Sequence, residues 1–248
     1  KQAVKERLIP YNPCENCRIP PKDKKEMTIL PPEKIGRYLQ EAEKYGVLPM
    51  FYLELSSGLR RGELLALQWE DLNVKERILT VNKQVTRMEG ELDVTEPKTK
   101  NSVRKVALSQ QAVDLLVQEH EQHPDNPILF PSPRTGGYWS PDAVSRINRK
   151  LLKSAGIEEH VRFHDLRHTF ATMAISSGVD VKTLSSMLGH FSAGFTLDTY
   201  THITNDMQRG AAEKIGGFME SVTAANTPEP PDPPEQGQCK VIPFEKVG

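Results

Sequence analysis

The sequence predicts a mainly helical domain that carries a small antiparallel β-sheet. Three observations predict it. Helical apolar spacing recurs in segment after segment, from Pro31 to Met219. Strand-like alternation is confined to residues 78–88 and 103–108. The boundaries carry residues that start and stop helices: Pro31-Pro32, Ser109 and Ser140-Pro141 at starts, Gly58, Gly156, Gly178 and Gly189 at ends.

The elements follow in order. Pro32 suits a first helical turn, and Ile35, Leu39 and Ala42 mark the inward face of the helix it opens. Leu48 to Ser56 reads as a mostly apolar helix broken at Ser57-Gly58, and a third helix runs from near Arg60 to about Leu67. Ile78 to Lys83 alternates with period two, residues 84–88 extend that strand, and Glu89-Gly90 is a turn signal. Val103 to Leu108 adds another strand, and together these make one small antiparallel sheet. Ser109 caps a helix to about His120 with Val113, Leu116 and Val117 inward. Further helices are expected from Ser140 to about Ala155, His164 to Ser177, Val181 to Leu188 and Asp206 to Met219. Residues 9–31, with Ile9-Pro10 and Ile19-Pro20-Pro21, read as a linker. Residues 227–236 are Pro-rich and acidic, and Val241-Ile242-Pro243-Phe244 beyond them is apolar enough to dock on a surface.

Composition fits a globular protein: 248 residues, 37% apolar, 26% charged. No apolar run reaches the ~18 residues of a membrane span. The charged start, Lys1 to Arg7, lacks a signal-peptide core, so a cytoplasmic location is expected. The chain opens inside an amphipathic pattern without an initiator Met, so a further N-terminal region is expected. A formal net charge of -1 does not announce a nucleic-acid partner; the basic clusters Arg60-Arg61, Lys98/Lys100/Arg104/Lys105 and Arg146/Arg149/Lys150/Lys153 matter more. Each alone is more often a solvated face. Cys14 and Cys17 form a lone C-x-x-C without the second pair that a zinc site needs, and Cys239 makes the count odd, against a disulfide framework.

Four places can carry chemistry. His164, Arg167 and His168 share one helix face at i, i+3 and i+4, and a guanidinium between two imidazoles suits a phosphate. The same two-His spacing resembles a zinc-protease helix, with His190 as a third ligand, but Arg167 would put a fixed positive charge beside the metal. Arg60 follows a Ser-Gly break at a helix start, and Glu63 one turn on can brace it. Lys98, or Lys100 nearly as well, lies in or beside a hairpin and can reach a cleft as a proton donor. Tyr200 follows Leu188-Gly189-His190 by ten residues. Alone, each has an ordinary reading: polar face, helix start, hairpin lysine, packing tyrosine.

In this order, Gly58-Leu59-Arg60-Arg61-Gly62-Glu63-Leu64, Pro97-Lys98-Thr99-Lys100, His164-Asp165-Leu166-Arg167 and Leu188-Gly189-His190 with Tyr200 resemble the active-site boxes of the tyrosine recombinase (phage integrase) family. The resemblance spans roughly residues 30–220. It is most like integrases of conjugative transposons and temperate phages, and less like chromosome-dimer resolvases. Phe191 to Phe195 is more apolar than the family's usual loop. The resemblance implies the family's catalytic-domain fold over 26–222, the end of a truncated core-binding domain with its linker over 1–25, and a spacer with a docking segment over 223–248. It implies a catalytic set of Arg60, Lys98, His164, Arg167, His190 and Tyr200, supported by Glu63. Arg61, Lys100, Arg104, Arg146 and Arg149 are then candidate DNA contacts. Cleavage would run through a 3′-phosphotyrosyl link, with neither metal, ATP nor other cofactor. Partners would be duplex DNA, a tetramer on that DNA with the C-terminal segment docked on a neighbour, and an accessory excision factor. A type IB topoisomerase-like enzyme and a non-catalytic DNA-binding regulator are the competing readings.

Overall fold

Two prolines fix where the helical part begins. In the computed structural model, which describes residues 1–15, 17, 28–88, 90–96, 103–189, 209–210 and 212–222, Pro32 starts α2 (Pro32–Lys44). A single turn, α1 (Gln2–Lys5), precedes it and buries nothing. Helices α3 (Leu48–Ser57) and α4 (Arg61–Ala66) follow. After a short 3-10 turn (Trp69–Asp71) come strands β1 (Leu72–Asn73), β2 (Ile78–Val81), β3 (Gln84–Met88), β4 (Glu91–Thr95) and β5 (Arg104–Ala107). Helices α5 (Gln110–Gln122), α6 (Pro141–Ser154), α7 (Phe163–Ser176) and α8 (Val181–Leu188) complete the first of two compact units, residues 1–199. The second unit, 200–248, contains helical residues at 209–210 and 212–222. No described helix is long and apolar enough to cross a membrane.

Most predicted helices stand within a residue or two of their expected bounds because the caps are real. Ser109 Oγ accepts from the Ala112 amide, and Asp180 Oδ1 accepts from the Thr183 amide. Gly58 and Gly189 close α3 and α8 in the left-handed region, at φ 61° and 63°.

The sheet differs from the expectation. Among the described residues there are two sheets: β1-β2-β5, and the hairpin β3-β4. The single strand read over 78–88 is broken after Val81, where Lys83 turns its ammonium to Asp71 Oδ2 (3.0 Å) and Gln68 Oε1 (2.6 Å). Strand β4 had no expectation; it is almost wholly exposed, so it lacks the inward apolar residues that mark a strand.

The core joins α3, α4, α5, α6, α7 and the β1-β2-β5 sheet through Phe51, Leu53, Leu64, Leu79, Leu116, Leu151 and Leu166. Polar ties fix the helices laterally. Tyr38 Oη donates to Asn148 Oδ1 (2.6 Å), and Asn148 Nδ2 donates to the Val161 carbonyl (3.0 Å), binding α2 to α6 and to the start of α7. Burying such groups is tolerable because each finds a partner.

Candidate active site

The site is built where the end of α3, the start of α4 and the end of α8 meet. Gly58 opens it. A Cβ there would lie 2.3 Å from Phe170 Cδ1, so only glycine lets the α3–α4 turn pass this close to α7. Arg60 then stands at the N-cap of α4. Glu63 Oε2 accepts from the Arg60 amide (2.9 Å), and Glu63 Oε1 accepts from Arg60 Nη1 (2.7 Å). The brace expected of Glu63 is present in the geometry. Burial alone would raise its pKa, but hydrogen bonds and charge from Arg104, with the amide and guanidinium of Arg60, outweigh it and hold Glu63 below the usual range.

Arg167 reaches the same place from α7. It is 3% exposed. Its Nη1 donates to the Gly58 carbonyl (2.6 Å) and its Nη2 to the Leu188 carbonyl (2.8 Å). Arg60 Nη2 donates to the next carbonyl, Gly189 (2.9 Å). The last carbonyls of a helix have no intrahelical donors and lie at the negative end of its dipole, so guanidiniums are well matched to them. Burial, and then the neighbouring Arg60, lower the Arg167 pKa to about 10, which leaves it charged at neutral pH. Each guanidinium retains further N–H donors beyond these two bonds, enough for an incoming anion.

His164 and His168 stack edge to face on α7, with ring centroids 4.9 Å apart. Lost hydration on the side facing the protein lowers the His164 pKa, and the Arg167, Arg162 and Arg60 charges add to that. His168 falls to about 4, again by burial first and then by His164. Both shifts favour the neutral imidazole over the charged one.

Next to His164 lies a cleft of about 650 Å³, lined by Arg61, Ser145, Arg149, His160, Arg162 and His164 among others, with no carboxylate among the described residues of its wall. Arg61 is fixed to α6, donating to Ser145 Oγ (2.7 Å). Arg149 is exposed at this cleft, and Arg146 is exposed on α6 beside a second one. Arg104 is placed differently from Arg61, Arg146 and Arg149: it is buried, and its guanidinium forks onto Glu63. The structure therefore brings together Arg60, Glu63, Arg104, His164 and Arg167. Lys98, Lys100, His190 and Tyr200 lie outside the described residues.

Two features escaped the sequence reading. Arg104 sits in a run of basic residues that looks like a surface, although the alternation of β5, with Val106 inward, also turns Arg104 inward. Glu54 lies in the apolar run of α3, fully buried beneath the arginines, and neither carboxylate oxygen has a hydrogen-bond partner among the described residues. Burial, its largest influence, raises its pKa well above the ordinary value. A raised folded pKa gives stability that is full below the unfolded value and lost as pH rises through the folded one. Glu54→Gln should therefore be more stable than the wild type at pH 8, where the buried carboxyl of the wild type works against folding. In urea melts the gap should narrow as pH falls to 4.5 and below; a gap of equal size at pH 8 and pH 4.5 would refute the assignment.

The Phage integrase family matches residues 30–207. The ICEBs1 integrase of Bacillus subtilis (strain 168) is 31% identical across 88% of this chain and 62% of its own length. A XerC-like tyrosine recombinase of Caldanaerobacter subterraneus is 29% identical with the same coverage, so the chain spans under two thirds of these relatives. The Tn1549 transposon integrase, solved in complex with a circular intermediate DNA, shares the fold: TM-score 0.72 at 22% identity, over 86% of this chain and 74% of that one. With the family match running from the start of α2 past α8, this chain belongs to the phage integrase family, the tyrosine recombinases.

Proposed function

We propose that the chain is the catalytic part of a site-specific DNA recombinase, which cleaves and rejoins duplex DNA to integrate and excise a mobile element. The observation that carries this reading is the convergence of Arg60 and Arg167, 107 residues apart in sequence, on adjacent carbonyls at the end of α8. Two guanidiniums with donors to spare, beside an imidazole and a cleft whose described lining is basic and lacks carboxylates, suit a phosphodiester in a duplex backbone.

The chemistry then runs as follows. Arg60 and Arg167 bind the non-bridging oxygens and offset the charge that builds as the phosphorus is attacked. His190, next after Gly189, adds a hydrogen bond there. The Tyr200 hydroxyl attacks, its proton passing toward His164, and the bond to the 5′-oxygen breaks. Lys98 protonates that oxygen, leaving a 3′-phosphotyrosyl link and a free 5′-hydroxyl. Attack by the 5′-hydroxyl of a partner strand reverses each step and reseals the DNA. The covalent link conserves the bond, so the scheme calls for neither ATP nor a metal.

Residues 26–222 act as the catalytic domain in this reading, with 1–25 leading from a core-binding domain and 223–248 as spacer and docking segment. Arg61, Arg146 and Arg149, with Lys100, follow the DNA backbone. Strand exchange needs two duplexes and hence a tetramer. Ile215, Phe218, Met219 and Val222 recur at helical spacing in 212–222, which supports an apolar face for a neighbouring protomer. An accessory excision factor would act on that assembly, in the cytoplasm.

The test is a DNA duplex nicked beside the crossover, so that the cleaved strand end diffuses away and the adduct is trapped. Candidate element ends are screened with the protein in EDTA, and adducts are read on a denaturing gel and mapped by mass spectrometry. An adduct on the peptide containing Tyr200 is expected. DNA that is bound but never linked would favour the non-catalytic regulator.

A further inference from the structure

We propose that Arg104 is a positioning residue that locks the phosphate-binding arginines to the end of α8 and so sets the cleavage rate, not the affinity for DNA. This deepens the recombinase reading and rests on it. Arg104 makes a two-pronged bond to Glu63, with Nη1 to Oε1 at 3.1 Å and Nη2 to Oε2 at 2.7 Å. Glu63 is thereby shared, since Arg60 uses the same two oxygens through its own guanidinium and amide. The third edge of Arg104 faces α8: Nε donates to the Met187 carbonyl at 2.7 Å.

The carbonyls of Met187, Leu188 and Gly189 are thus taken in order by Arg104, Arg167 and Arg60. Arg60 and Arg167 must also serve the phosphate. Arg104 is 8% exposed and acts through its neighbours. A Cβ on Gly189 would come within 3.1 Å of Arg104 Cδ and Nη1, so the turn that leads into His190 is packed directly on this side chain. Arg104 also begins β5, six residues after Lys98. One side chain therefore links the strand that follows the lysine, the carboxylate that braces Arg60, and the turn that precedes His190. A planar guanidinium can hold both a carboxylate and a carbonyl at fixed angles; an ammonium cannot.

Arg104→Lys keeps the charge beside Glu63 and so avoids leaving a buried carboxylate unpaired. It should bind the cleavage-trapping duplex with a Kd within about threefold of wild type and an unchanged salt slope, because no phosphate contact is lost. Its single-turnover cleavage should fall about 100-fold, the scale of a misplacement near 1 Å. Millimolar guanidinium ion should restore part of the rate in Arg104→Ala. A loss of affinity with a salt slope reduced by one would make Arg104 a DNA contact and overturn the proposal, as would wild-type cleavage in Arg104→Lys. Hydrogen exchange at amides 186–189 reads the same tie without catalysis. It should quicken in Arg104→Lys while α5 is unchanged, and equal exchange would overturn the proposal even if the wild type gave no adduct and the recombinase reading itself failed.

Discussion

Tyr200→Phe is expected to bind DNA like the wild type and to form no covalent adduct. The substitution keeps the ring and removes only the hydroxyl, so the fold and any packing by the ring should persist. The loss should be total within detection, at least about 10³-fold, because removing a nucleophile leaves only the binding and charge stabilisation around the phosphate. A phenol ordinarily holds its proton to about pH 10, so attack at neutral pH needs both a positive field and a base. Arg60 and Arg167, bound to the end of α8, are the candidates for the field, and His164, whose pKa burial and the charges of these arginines keep low, is the candidate base. Tyr200 lies eleven residues past Gly189, where the described part of this region ends. Parallel denaturing gels of wild type and variant on the nicked duplex provide the comparison. An adduct that persists in Tyr200→Phe would name another nucleophile and withdraw the assignment.

How far the sequence reveals such a site depends on what kind of signal each residue leaves. The helices are legible because their ends are marked by local chemistry: Ser109 hydrogen-bonds the first turn of α5, and Gly58 and Gly189 adopt the left-handed turn that stops α3 and α8. The order of the boxes places Arg60, Glu63, His164 and Arg167 among the candidates, and the fold brings all four to one place. The division of the strands is hidden, because alternation runs on through Asn82 and Lys83 and the break comes from a tertiary pull, Lys83 toward Asp71. Arg104 is hidden for a related reason. Its neighbours Lys100 and Lys105 make the run look solvated, and the one counter-signal is the alternation that puts Arg104 on the face of Val106, the face that β5 turns inward as it pairs with β2. Glu54 leaves the opposite kind of trace, a single carboxylate in an apolar helix, whose meaning appears only when Arg167 and Arg104 are found close to it.

Arg167→Lys should lose both stability and activity, and the two losses have separable causes. Arg167 bridges the end of α3 to the end of α8 through Gly58 and Leu188, and it is almost wholly buried. A lysine keeps the charge but cannot span both carbonyls with a planar fork, so one buried acceptor goes without a donor. That should cost about 1–3 kcal/mol in urea melts. Arg60 faces solvent more, with its side chain 40% exposed, and Arg60→Lys should cost clearly less. For cleavage the two should be alike. Each arginine would supply donors aimed at developing charge, and losing such donors reduces rates by about 10²–10³-fold. Single-turnover cleavage measured at a temperature where all variants are folded separates the two effects. If Arg167→Lys cleaved at the wild-type rate once folded, the residue would serve only as a brace between α3 and α8, and Arg60 would be left to bind the phosphate without it.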